Sequence, residues 1–294
     1  MIWQTCLLRP TLGMTLAALV FAGCSQDEGR RTPDPAAPPV IAVPLEPVAG
    51  LVAALAPDGA VRTVVLIPPG ASPSTYQPAV DDLRLTATAA LYLELGHPAF
   101  VFERTWLGGL LANSTARRVP IFADCPPVAE DYHVWVSSNC LGNAATVIAS
   151  ALRDLLPARA AEVDEALQRF RSRLAGVDSV ATAELSPFRG RSFIVLHPAW
   201  GYLAREHGLT QMEILSHGSG DPGAARLAAL IDDSRAAGIR TVYVQPQFNQ
   251  APARLIADEL GAEVVSLDPL ERDPVALIER TARALADGFN RETR

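Results

Sequence analysis

Between Pro157 and Pro187 the chain reads ARAAEVDEALQRFRSRLAGVDSVATAEL, residues 158–185. Apolar side chains recur there at Val163, Leu167, Phe170, Leu174, Val177 and Ala181, with spacings that alternate four and three. That is the stripe of an amphipathic helix, and Arg, Glu and Asp fill the positions between. The two bounding prolines suit a helix start and a helix stop. A helix of this length spans about 42 Å, roughly the width of a small domain. Gly176 inside it costs about 1 kcal/mol relative to Ala. Such a helix is either a surface helix of one domain or a spine joining two lobes, and the flanking sequence decides between them.

Before the spine, short apolar strands alternate with helical spacing. Strands are expected at Val40–Val43, Val61–Ile67, Ala90–Leu95 and Val119–Ala123, with helices at Val48–Leu55, Ala79–Ala87, Glu103–Asn113 and Gly142–Leu155. A long loop, Asp124–Asn139, precedes the last of these helices. After the spine the alternation restarts. Strands are expected at Ser192–Leu196, Met212–Leu215, Arg240–Gln245 and Glu263–Leu267, and helices at Trp200–His207, Pro222–Ala237, Ala251–Leu260 and Pro274–Phe289. Alternating strands and helices call for parallel sheets with crossover helices. The expectation is an α/β protein of two lobes of parallel βα units, joined by one long rigid helix, with a cleft between the lobes. The lobes are expected at 40–156 and 188–294, flanking a linking helix at 157–187.

With 294 residues, 49% of them apolar, the chain is long enough for two such units. Its net charge of −7 argues against a nucleic-acid partner. Every basic side chain other than histidine is arginine. Residues 1–23 read as a signal segment: Arg9, then an apolar run from Thr11 to Gly23 that is short for a bilayer span. The ending Phe21-Ala22-Gly23-Cys24 resembles the lipobox of a bacterial lipoprotein, which implies cleavage before Cys24 and a lipid anchor through it. Residues 24–39 are rich in Pro and charge and read as a tether. An exported protein meets an oxidising compartment. Cys125 and Cys140 then either pair, closing a short loop worth about 3 kcal/mol, or stay as two buried thiols.

Ligands of open α/β sheets bind beyond the carboxyl ends of the strands. The loops at those ends hold Ser72-Pro73-Ser74-Thr75-Tyr76, His133 with Trp135, His197, Gln245 and Asp268. Two histidines and a carboxylate meeting in a cleft suit a borderline divalent metal. His207 ends a helix before Gly208, where it complements the helix dipole, and His217 lies in a Gly- and Ser-rich loop.

Five motifs resemble the zinc- and manganese-binding proteins of bacterial ABC importers. Gly70-Ala71-Ser72-Pro73-Ser74-Thr75-Tyr76 is similar to that family's Gly-Ala-Ser-Pro-His-Thr-Tyr-Glu, and Asp131-Tyr132-His133-Val134-Trp135 to its Asp-Pro-His-x-Trp. Leu196-His197-Pro198-Ala199-Trp200-Gly201-Tyr202 is similar to its Phe-His-Asp-Ala-Phe-Gly-Tyr. Gln245-Pro246-Gln247-Phe248 and Leu267-Asp268-Pro269-Leu270 resemble its Glu-Pro-Gln-Phe and Leu-Asp-Pro-Leu. The resemblance implies two βα lobes joined by a rigid helix, with metal held between them by His133, His197 and Asp268. The family's first histidine falls on Ser74, and its Glu residues on Gln77 and Gln245. His97, in Gly96-His97-Pro98, is a weaker candidate to replace the missing ligand, as are Ser74 and, if unpaired, Cys140.

The implied function is capture of Zn²⁺, with Mn²⁺ second, by a monomeric, lipid-anchored extracytoplasmic protein that serves ABC importer membrane subunits and carries out no catalysis. Two alternatives stand beside it. One is a family member with a degenerate site for an organic ligand or a protein partner. The other is a hydrolase, using zinc or a Ser74, His197 and Asp268 triad. No His-Glu-x-x-His or Gly-x-Ser-x-Gly motif supports the hydrolase.

Overall fold

The structure, a computed structural model, describes residues 37–216 and 222–292. The signal segment, Cys24, most of the tether and His217 lie outside the described residues. Pro38–Arg294 forms one compact unit.

The first four strands are β1 (Val40–Val43), β2 (Arg62–Val65), β3 (Leu91–Glu94) and β4 (Arg117–Pro120). They form a parallel sheet in the order β2-β1-β3-β4. The second sheet repeats that topology with β5 (Ser192–Val195), β6 (Thr210–Glu213), β7 (Thr241–Val244) and β8 (Glu263–Ser266), in the order β6-β5-β7-β8. The amino acids follow the position of each strand. The central strands VIAV, LYLE, SFIV and TVYV are almost wholly buried, as strands covered on both faces must be. The edge strands RTVV, TQME and EVVS are partly exposed and RRVP is largely open to solvent. Edge position explains why β4 lies two residues before its expected start: Arg117 and Arg118 pair with Leu91 and Tyr92, and the apolar residues after Pro120 fold away into the core.

Helices cross between strands: α1 (Glu46–Leu55), α2 (Val80–Ala87), α3 (Val101–Leu110) and α4 (Ser138–Leu155) on the first sheet, and α6 (Gly201–His207), α7 (Ala224–Ala236), α8 (Ala251–Leu260) and α9 (Pro274–Glu292) on the second. Between the two sets runs α5 (Ala160–Leu185), 26 residues and about 39 Å long, entered through one 3₁₀ turn at Pro157–Arg159. It runs unbroken through Gly176, whose surface is open enough that an added Cβ would touch nothing within 4 Å. Every residue of the expected stripe is buried, joined by Ala166 and Leu185. The stripe packs against α1 and α4 of the first set and α9 of the second. One core therefore runs from Ile41 through Phe170 to Phe289. A smaller core, centred on Ile194, Val242 and Ile256, lies on the far side of the second sheet. Burying each Leu or Phe of the spine contributes about 1.5–3 kcal/mol, so the helix is held by packing and tolerates its glycine.

His207 lies in the last turn of α6, which Gly208 ends in the left-handed region at φ 69°. The residue is 7% exposed, its Nε2 has no hydrogen-bond partner among the described residues, and burial pushes its pKa down. The cysteine alternative is also resolved: Cys125 and Cys140 are bonded, with Cα atoms 5.4 Å apart. The bond closes the loop that carries His133 and removes Cys140 as a thiolate donor.

Candidate metal centre

In both sheets the strand order reverses beside the first strand, so a crevice opens between the loops after β1 and β3, and between those after β5 and β7. His197 lies two residues beyond β5 and Gln245 directly follows β7. There the strands diverge, and the Gln245 side chain extends the ladder. Its Oε1 accepts the His197 N–H at 3.1 Å, and its Nε2–H donates to the His197 carbonyl at 2.7 Å. Only an amide can serve both groups, since a carboxylate has no donor at neutral pH. Gln245 is fully buried. It fixes the backbone of His197 and takes no part in the side-chain chemistry.

His133 comes from the disulfide-closed loop. Its Nδ1 lies 2.6 Å from Asp131 Oδ1, which also accepts the His133 backbone N–H at 2.9 Å. A carboxylate only accepts, so Nδ1 carries the proton toward Asp131. The His133 and His197 rings lie edge to face with centroids 5.5 Å apart, 2% and 4% exposed. Tyr132 stacks on His133 at 4.3 Å and Phe248 stacks on His197 at 4.4 Å. Two imidazoles from separate sheets thus meet in a dry aromatic enclosure. Burial pushes the Tyr132 phenol up to about 12, so it is neutral.

The His133 loop is tied to elements of the second half at several points, including Arg205 on α6, which donates to the Pro126 and Pro127 carbonyls at 3.0 Å each. Asp131 Oδ2 accepts the Gly201 N–H at 2.9 Å, and Trp135 Nε1–H donates to the Pro269 carbonyl at 2.6 Å. Glu206 on α6 accepts from the Ser137 hydroxyl at 2.5 Å and from the Ser138 N–H at 3.1 Å, at the start of α4. The negative charge there also suits the dipole of an 18-residue helix. Nothing in the spacing of Glu206 marks this role.

The other candidates have these partners. Asp268 Oδ1 accepts from Gln247 Nε2–H at 2.7 Å and from the Leu270 N–H at 2.9 Å, while no protein donor among the described residues reaches Oδ2. Among the described residues, no three His, Cys, Asp or Glu side chains gather closely enough to hold a metal ion. Ser74 Oγ is 2.9 Å from the Tyr132 hydroxyl. Neither Ser74 nor Asp268 bonds His197, so the three residues do not assemble as a triad. His97 has both ring nitrogens engaged: Nδ1 accepts the Ala99 N–H at 3.2 Å and Nε2 meets the Tyr202 hydroxyl at 3.1 Å. The turn before it rests on Glu103, which accepts the N–H groups of Leu95 and Gly96 at 2.7 and 3.0 Å. Burial pushes that carboxyl up to about 7.

Comparison with known proteins agrees with this architecture. The family described as ZnuA, the periplasmic component A of a zinc-uptake complex, matches residues 41–288. The high-affinity zinc uptake system protein ZnuA of Haemophilus ducreyi is 24% identical over 278 residues, covering 82% of this chain and 89% of its own. The zinc-binding protein AdcA of Streptococcus pyogenes serotype M1 is 30% identical over 162 residues, which is 55% of this chain and 31% of that one. Among solved structures, a ZnuA crystal structure superposes with a TM-score of 0.79 at 30% identity, covering 85% of this chain and 99% of its own. The periplasmic zinc-binding protein TroA of Treponema pallidum superposes at 0.76 with 16% identity, covering 86% and 99%, a likeness of fold alone.

Proposed function

Because the chain belongs to the ZnuA family of periplasmic zinc-uptake components, we propose that it captures Zn²⁺ outside the cytoplasm and delivers it to the membrane subunits of an ABC importer. The observation that carries this reading is the meeting of His133 and His197, buried and 5.5 Å apart, at the ends of loops from two different sheets. His133 offers Nε2 because its other nitrogen is spent on Asp131, the outer-shell arrangement that orients zinc-ligating histidines. Asp268 supplies the carboxylate, its Oδ2 turning toward the incoming ion, and water completes a four-coordinate shell. His97 is left out, since its nitrogens are engaged elsewhere. Two imidazoles favour Zn²⁺ over the oxygen-preferring Mn²⁺.

In this reading residues 40–156 and 188–294 act as lobes on the 157–187 helix, and the chain works as a monomer held to its membrane through Cys24. The zinc-uptake role of similar proteins supports it. The task is binding and release, with no bond made or broken in a substrate. The test is calorimetric titration of chelator-stripped protein with Zn²⁺. One ion is expected to bind per chain, and His133→Ala and His197→Ala should each weaken binding at least about tenfold, or 1.4 kcal/mol. Unchanged affinity in both variants would overturn the proposal and favour an organic ligand.

A further inference from the structure

Two departures from the family's motifs meet in one hydrogen bond. Ser74 stands where the Gly-Ala-Ser-Pro-His motif has its histidine, and Tyr132 stands where Asp-Pro-His has its proline. These residues are 58 positions apart in the chain, yet the Ser74 and Tyr132 hydroxyl oxygens lie 2.9 Å from each other. Tyr132 is 3% exposed. Its ring packs against Phe100 with centroids 5.3 Å apart and lies on the His133 ring with centroids 4.3 Å apart and 24° between planes. One phenol therefore touches both position 74, through its hydroxyl, and His133, through its face. A serine is short enough to meet that hydroxyl. An imidazole at position 74 in the same direction is longer than a serine that already meets the phenol at 2.9 Å, so the ring leaves it no room there.

We propose that Ser74 and Tyr132 together form a plug that limits the first half of the protein to a single metal-binding nitrogen, that of His133. The plug rests on the zinc-capture reading above and specifies its coordination. A serine hydroxyl and a tyrosine phenol are not among the ordinary protein ligands of Zn²⁺, which are thiolate, imidazole and carboxylate. The captured ion then keeps one coordination position for water or for the group that takes the ion away. The site gives up affinity and gains ease of transfer. The phenol is a specificity element and not a ligand.

The purified protein and its Tyr132→Phe, Tyr132→Ala, Ser74→His and Ser74→His/Tyr132→Ala variants are titrated with Zn²⁺, and with Co²⁺ as a visible probe of geometry. Tyr132→Phe keeps the packed ring and loses only the hydroxyl, so its affinity should stay within about threefold of the original. Ser74→His alone should also change affinity by less than about threefold, because the ring still blocks it. The double variant should bind at least about tenfold more tightly than Tyr132→Ala. Its Co²⁺ absorption should gain the intensity of a closed tetrahedral shell, which a purely structural role for Tyr132 would not produce.

A tenfold gain from Ser74→His alone would overturn the plug, and so would a tenfold loss in Tyr132→Phe, which would make the phenol a ligand. A double variant no tighter than Tyr132→Ala would overturn it as well. His133→Ala separates the two ideas. If it binds Zn²⁺ like the original protein, zinc capture at this site fails. If His133→Ala weakens binding while the double variant is no tighter than Tyr132→Ala, the plug alone fails and zinc capture stands.

Discussion

Asp131 Oδ2 accepts the backbone N–H of Gly201 at 2.9 Å, across 70 residues of chain. Oδ1 of the same carboxylate holds His133. Gly201 begins the helix that follows His197, so one side chain orients the first histidine and ties its loop to the element beside the second. The approach is close enough to require glycine: a Cβ at position 201 would lie 2.7 Å from Asp131 Oδ2. Asp131→Asn keeps the size of the side chain but weakens the charge-assisted grip on the imidazole. Zinc affinity should fall about 10–100-fold, as for other outer-shell partners of metal-binding histidines. Titration calorimetry on the variant checks this, and an affinity equal to that of the original would remove the orienting role.

The Gln245 clamp predicts an effect on stability. Gln245→Leu removes both hydrogen bonds from Gln245 to the buried His197 backbone, at about 1–3 kcal/mol. Gln245→Glu, which installs the residue of the family motif, keeps one bond but sets an oxygen against the His197 carbonyl, and should also destabilise. Urea denaturation midpoints measure both. If Gln245→Glu proved as stable as the original, the donor half of the clamp would count for nothing.

The bond between Cys125 and Cys140 spans 15 residues that include Asp131, His133 and Trp135. Its removal by Cys125→Ser/Cys140→Ser should cost about 3 kcal/mol of stability by loop-closure entropy. It should also weaken zinc binding, because the freed loop must be ordered again when the ion arrives. Equal affinity with and without reductant would show that the hydrogen-bonded ties of this loop to the second half suffice alone.

Glu103 sets a pH dependence. Its carboxyl has an ordinary value of 4.5 and is pushed up to about 7 by burial, so the folded protein holds this proton more tightly than the unfolded chain does. As pH rises from about 4.5 to about 7 the unfolded chain loses the proton first, and stability falls by an amount on the order of 3 kcal/mol, then levels off. Below that window the contribution is fully present. Glu103→Gln should flatten this part of the stability–pH curve, and a slope unchanged by the substitution would contradict it.

Anchoring is tested at Cys24, which follows Phe21-Ala22-Gly23. Cys24→Ser should move the protein from the membrane fraction to the soluble extracytoplasmic fraction on cell fractionation. A variant that stays with the membrane to the same degree would refute a lipid anchor at this position.

The sequence alone determined whatever burial writes into local spacing. The stripe from Val163 to Ala181 marked the spine, because a buried helix face repeats with the period of the helix, and short apolar runs between helical stretches marked the strands. The edge strand β4 was legible only to within two residues, since an exposed strand carries no such imprint. His133 and His197 stood out by residue type and motif. Their meeting was decided by the tertiary structure. So were the attachment of Asp131 to Gly201, the clamp of Gln245 on His197, the tie from Glu206 to Ser137 and the pairing of Ser74 with Tyr132. Each of these joins residues tens of positions apart through a hydrogen bond a few ångströms long. A hydrogen bond depends on where two atoms end up after the helices and sheets have packed, and no periodicity along the chain encodes that distance.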